Sequence, residues 1–192
     1  MSWNIFGGFG RRDAGWFSVG LASTFPNLGD DAGDVLQKRP CGGSPDGEVR
    51  RGCKVFQAPP ETSQGAEVPV PDDDAEFFPT ENDLADQVLV FQYRGKFHAV
   101  DHRCPHSSYP LSRGMPFDIE DFGVVLSAGI TCPKHGWSFD LFTGNADRAS
   151  YRLKVWEVQL RDVPGLAAQD VSEGEAPPPD KEVWVRRKQR IG

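Results

Sequence analysis

Short runs in which apolar residues alternate with polar ones, or stand four or more together, recur along this chain, and each predicts a strand. The first is Trp16-Phe17-Ser18-Val19-Gly20-Leu21 and the second the brief Lys54-Val55-Phe56. Val88-Leu89-Val90-Phe91-Gln92-Tyr93 and Lys96-Phe97-His98-Ala99-Val100 flank Arg94-Gly95, a pattern that predicts a hairpin closed by a two-residue turn. A strand pattern resumes at Gly123-Val124-Val125-Leu126, another run is Trp137-Ser138-Phe139-Asp140, and the last is Val183-Trp184-Val185. Tyr151, Leu153 and Val155 alternate on one parity and Trp156, Val158 and Leu160 on the other, which predicts a strand with a bulge near Trp156.

The stretches between these runs predict loops. Residues 24–43 carry Pro, Gly and Asp at loop frequency; residues 59–86, with Pro-Pro and Asp72-Asp73-Asp74, form a long acidic loop insertion; residues 161–181 form a second acidic loop, and residues 186–192 a basic tail. With 192 residues, 21 Gly and 16 Pro, the chain reads as one all-β, loop-rich domain over 1–192.

Net charge narrows the partners. A balance of −7 with a pI near 5.1 argues against nucleic acid, whose phosphates need a basic surface. No run of 18 apolar residues occurs, so no membrane insertion is expected. Residues 1–15 show neither a secretory nor a transit pattern, and the cytoplasm is the expected location.

The chemistry lies in two segments, Cys104-Pro105-His106 and Cys132-Pro133-Lys134-His135-Gly136-Trp137, each offering one thiolate and one imidazole beside a stiffening Pro. One tetrahedral metal could take all four, but structural zinc sites usually pair ligands as Cys-x-x-Cys, whereas one Cys and one His per loop suits two irons. A Cys–His hydrolase is a poor reading, because neither Cys sits in a motif with a third orienting group.

These two segments resemble the Rieske [2Fe–2S] family, whose pattern is Cys-x-His followed by Cys-x-x-His-Gly. The likeness extends to Ser107, Pro110-Leu111 and Gly114, and to Ser138-Phe139-Asp140 with Thr143-Gly144. It implies stacked antiparallel sheets with a cluster-binding subdomain at one tip, formed by loops 102–114 and 130–145. It also implies a Rieske-type [2Fe–2S] cofactor on Cys104, His106, Cys132 and His135, the cysteines on a buried iron and the histidines on an outer one facing solvent. Trp137 and Phe139 are expected to pack beneath it, and Gly114, Gly136 and Gly144 to allow tight turns. One departure is the 25 residues between His106 and Cys132, longer than the family's usual gap; Met115 to Asp121 reads as an extra surface segment.

The resemblance is to the ferredoxin and dioxygenase branch. The extra loop cysteines and the hydroxyl donors beside the second loop of respiratory members are missing, with Trp137 and Phe139 where hydroxyls would stand. The expectation is a soluble, low-potential one-electron carrier serving redox protein partners, a reductase and an oxygenase or other acceptor, which dock at the tip on Arg103, Ser107, Ser108, Tyr109 and Lys134. Alternatives are an electron-transfer subunit of a multicomponent oxygenase and a non-catalytic redox-sensing or interaction protein. A mononuclear-iron oxygenase site is not expected, since no His follows residue 145.

Four other residues have quieter readings. His98 is expected on a sheet face and His102 beside the first ligand loop, both structural, with His102 able to tune the centre indirectly. Cys41 and Cys53 could form a disulfide, but reduced thiols are the expected state in a reducing compartment.

Overall fold

The computed structural model describes residues 15–29, 52–59, 65–70, 84–163 and 179–188. Eleven strands among them form three sheets: β1 (Phe17–Leu21), β2 (Asn27–Leu28), β3 (Cys53–Gln57), β4 (Ala66–Val68), β5 (Gln87–Tyr93), β6 (Lys96–Asp101), β7 (Met115–Asp121), β8 (Val124–Cys132), β9 (Trp137–Asp140), β10 (Trp156–Asp162) and β11 (Lys181–Arg187). An outer sheet runs β1-β11-β10; the central sheet runs β2-β5-β3-β4, with β6 also paired to β5; the third runs β7-β8-β9. All pairings are antiparallel except β2 with β5.

β5 explains why the layers stack. Its apolar run lacks alternation because both faces are covered, and the two parities go to different cores. Leu89 and Phe91 join Val55, Val100, Leu111, Ile130, Phe139, Leu141 and Leu153 in a core shared with the third sheet. Val88 and Val90 join Phe17, Phe56, Ala99, Trp156, Val183 and Val185 in a core shared with the outer sheet. Each such side chain contributes about 1.5–3 kcal/mol on burial, so the central sheet is the anchor of both layers. The predicted hairpin is present: Arg94 and Gly95 have φ of 45° and 72°, the pair of positive values that a tight primed turn needs.

Three expectations change. Met115–Asp121 is no extra loop but strand β7, paired along its whole length with β8. Pro116 and three acidic residues hide it, yet β7 is an edge strand, where Pro and charge are tolerated. Its Phe117 ring lies where a side chain on Gly129 would be, 2.4 Å from the modified position, and its Asp118 accepts hydrogen bonds from Tyr93 (3.0 Å) and Arg94 (2.8 Å), tying the β7–β8 hairpin to the β5–β6 turn.

The bulge near Trp156 is also absent. β10 pairs with β11 in unbroken register, and residues 151–155 make only the isolated bridges Asn145–Arg152 and Val100–Val155. The parity switch marks the passage from one core to the other, Leu153 belonging to the first and Trp156 to the second.

The third change concerns the basic tail, whose first residues lie in β11 with partners: Arg186 pairs with Glu157 (Nε to Oε2, 2.9 Å) and Arg187 with Asp86. The 3-10 turn Ala22–Thr24 leads into the stretch 24–43, where β2 follows; within the acidic stretch 59–86, β4 adds to the edge of β3. Residues 30–51, 60–64, 71–83, 164–178 and 189–192 lie outside the described residues, Cys41 among them. Cys53 is buried, its thiol directed at the carbonyl of Ser112 at 3.9 Å.

Candidate metal centre

The first segment leaves β6 and turns sharply. Cys104 N–H donates to the Tyr109 carbonyl and Ser108 N–H to the Cys104 carbonyl, both at 2.9 Å, while Arg103 and Pro110 form a bridge beneath. The second segment connects β8 to β9 in the same way: Gly136 N–H donates to the Cys132 carbonyl at 2.9 Å. Each turn therefore closes on the residue four after its Cys, and each closing residue is left-handed, Ser108 at φ 52° and Gly136 at φ 69°. Glycine suits the second; in the first a serine, expected only at the docking face, takes the left-handed conformation instead. Gly144, at φ 75°, turns the chain after β9, and an added side chain there would strike the Leu153 carbonyl at 2.0 Å. Gly114 needs no positive φ; it leaves room for Ile130 instead.

The loops bring their chemistry together. Cys104 and Cys132 are each 1% exposed, their thiols hydrogen-bonded to one another. That contact favours the Cys104 thiolate and holds the proton on Cys132. Backbone N–H groups of His106 and Ser107 donate to the Cys104 sulfur and that of Lys134 to Cys132, so the residue two after each Cys points its amide at sulfur. The Ser107 hydroxyl is buried with no well-formed hydrogen bond, yet it lies beside both sulfurs and favours their ionised forms.

The imidazoles lie side by side, His106 and His135 with ring centroids 5.2 Å apart and planes at 83°. His135 is exposed and His106 half-buried. Phe139 fills the core beside the cysteines, whereas Trp137, expected there too, packs at the core's edge and stacks on His106 at 4.5 Å and 24°. Tyr151, whose role the sequence did not disclose, sets its ring edge-on to both His106 (5.2 Å) and Trp137 (5.1 Å).

His98 and His102 stay out of this group, as expected. His102 is buried; with a neutral ring, Nδ1–H donates to Gln87 Oε1 and Nε2 accepts from the Ser112 hydroxyl, each at 2.8 Å, and burial lowers its pKa to about 4. Residues 102 and 112 bracket the first ligand segment, so this bond and Leu111 N–H to the His102 carbonyl (2.8 Å) close its base.

The donor set fits a binuclear centre. Nδ1 of His106 is buried without a hydrogen-bond partner, a costly arrangement unless a metal takes its lone pair.

Comparison with known proteins agrees. Residues 64–157 match the Rieske [2Fe-2S] domain. A human Rieske domain-containing protein is 43% identical over 30% of this chain and 34% of its own length. Mouse apoptosis-inducing factor 3 is 39% identical over 42% of this chain and 9% of its own length. The 3-phenylpropionate/cinnamic acid dioxygenase ferredoxin subunit of Photorhabdus laumondii is 38% identical over 39% of this chain and 66% of its own length. The chain thus spans well under two thirds of the first two relatives. With its strands stacked in antiparallel sheets and its paired Cys–His loops inside the matched segment, the chain belongs to the Rieske [2Fe–2S] family, in the ferredoxin and dioxygenase-like branch, whose cofactor is a Rieske-type [2Fe–2S] cluster.

Proposed function

We propose that this protein is a one-electron carrier whose cluster is held by Cys104 and Cys132 on the inner side and by His106 and His135 on the outer. The observation that carries this reading is the paired arrangement of two buried, free thiols in contact and two adjacent imidazoles, one of which has a buried nitrogen lacking any hydrogen-bond partner. When bound, the cluster supplies reversible uptake of one electron, at a potential set by ligand charge, hydrogen bonds and exposure. The protein's own groups do the rest. Core residues Leu111, Ile130 and Phe139 keep water from the cysteines, amides aimed at the sulfurs favour added negative charge, and exposed His135 offers the way out. Two neutral ligands in place of thiolates raise the potential, and the absence of hydroxyls at Trp137 and Phe139 supports the low end of the family's range of about −150 to +300 mV.

The partner reading follows from charge. On a chain of net charge −7, residues 102–117 and 129–139 contain no carboxylate, while Arg103 and Lys134 stand exposed there. Lys134 lies over the Tyr109 ring at 5.7 Å. Such a face suits an acidic region of a reductase or an oxygenase. The ferredoxin-subunit relatives favour a second form of the same reading, in which the chain is the electron-transfer component of a multicomponent oxygenase. One central sheet serving both cores supports reading 1–192 as a single domain; no helix among the described residues is long and apolar enough to cross a membrane.

Iron and acid-labile sulfide analysis, with electron paramagnetic resonance of the dithionite-reduced protein, tests the proposal. Two irons and two sulfides per chain with the low average g value of a His-ligated centre are expected; one zinc without sulfide overturns it.

A further inference from the structure

A third segment reaches the centre, and neither ligand motif includes it. After the turn at Gly144 the chain returns along β9: Asp147 N–H donates to the Ser138 carbonyl (2.9 Å), and Asp147 Oδ1 accepts from Ser138 N–H (3.3 Å). Asp147 so fixed grips the next residue. Arg148 Nε lies 3.2 Å from each Asp147 carboxylate oxygen, and Nη2 lies 2.9 Å from Oδ2.

The held guanidinium does two things. Its Nη2 donates at 2.8 Å to the carbonyl of Gly136, the residue after His135 and the left-handed closing point of the second loop. Its carbon stands 5.2 Å above the Trp137 ring, whose stack bears on His106. One side chain thus acts on both imidazoles, on His135 through the peptide beside it and on His106 through the indole.

We infer that Arg148 is a positioning residue for the cluster, a clamp that sets the orientation of both histidine ligands without touching the metal. A planar fork is needed for this, because the carboxylate, the carbonyl and the ring face are engaged together; a lysine ammonium offers the charge but neither the fork nor the flat face. Asp147 is its support, and Tyr151, edge-on to Trp137 and His106, closes the far side. Groups that orient metal ligands are typically worth 10- to 100-fold in affinity or activity.

This inference rests on the cluster reading above, so the iron and sulfide content of the parent protein is measured first; a parent without the cluster overturns both. With the cluster present, Arg148→Ala and Arg148→Lys are compared with the parent in two readouts. These are the imidazole nitrogen couplings by pulsed electron paramagnetic resonance of the reduced protein, and the rate of iron loss to a chelator. Expected are altered nitrogen couplings in both variants and iron loss about tenfold faster, with the urea midpoint of the sheets unchanged. Parent-like couplings and iron loss in Arg148→Ala overturn the clamp while leaving the carrier reading intact. Parent-like behaviour of Arg148→Lys beside an altered Arg148→Ala also overturns it, by showing that charge alone suffices. Should Arg148→Ala fail to assemble, Arg148→Lys decides between these outcomes by itself.

Discussion

His98 makes acid stability a sharp test of how the core is built. Its ring is 5% exposed, tilted against Phe91 (5.6 Å, 31°) and meeting the Phe142 ring edge-on (5.2 Å), and its Nε2 has no partner. Burial, assisted by the Lys96 ammonium and opposed by Asp140, lowers its pKa from 6.5 to about 4. Unfolding restores the ordinary value, so between those two pH values the unfolded chain binds a proton that the folded one refuses. The contribution to stability is therefore whole above pH 6.5 and falls away as pH drops toward 4. At about 1.4 kcal/mol per pH unit the loss reaches roughly 3 kcal/mol. His98→Phe keeps a ring in the slot and removes both the titration and the orphaned nitrogen, which leaves stability at neutral pH equal to the parent's or about 1 kcal/mol higher. Urea denaturation of both proteins across this range reads the difference. His102 titrates alike in the two and cancels. The parent should lose about 3 kcal/mol relative to His98→Phe on acidification; parallel curves would refute the reasoning.

Further perturbations probe the ligand loops. His102→Leu strips the partners from Gln87 and Ser112 and should cost about 2–5 kcal/mol in urea denaturation, with faster iron loss because the base of the first loop opens; an unchanged midpoint contradicts this account. Ser107→Ala removes the buried hydroxyl beside both sulfurs, and redox titration should show a potential lower by about 59 mV, the equivalent of a tenfold change in the one-electron equilibrium; no shift means that the hydroxyl donates elsewhere. Arg103→Glu with Lys134→Glu should slow electron transfer to an acidic partner about tenfold at low salt, with the spectrum intact; unchanged rates discard that face as the dock.

The two proposed ligand motifs could be read from the sequence because they are local. A Cys and a His two or three residues apart, with Pro between them and Gly after the second, describe one turn, and turns are decided by neighbouring residues. The β5–β6 hairpin was legible for the same reason, since Arg94-Gly95 specifies its own geometry. β7 was not, because its Pro and acids argue for a loop until β8 supplies the hydrogen bonds. Nor was the parity change at Trp156, which looks identical whether a strand bulges or the chain leaves one core for another.

By itself, then, the amino-acid order singled out the four side chains proposed to hold the cluster, the strand-rich character of the chain and the tight turns that carry them, all consequences of short-range pattern. Only the tertiary structure decided how the two faces of β5 divide between two cores, that the Ser107 hydroxyl is buried beside the sulfurs, that His106 lies under Trp137 and Tyr151 while His135 is exposed, and that Asp147 and Arg148 fold back onto Gly136 and Trp137. Those relations depend on contacts between segments brought together by sheet stacking, and no local periodicity records which surfaces will meet.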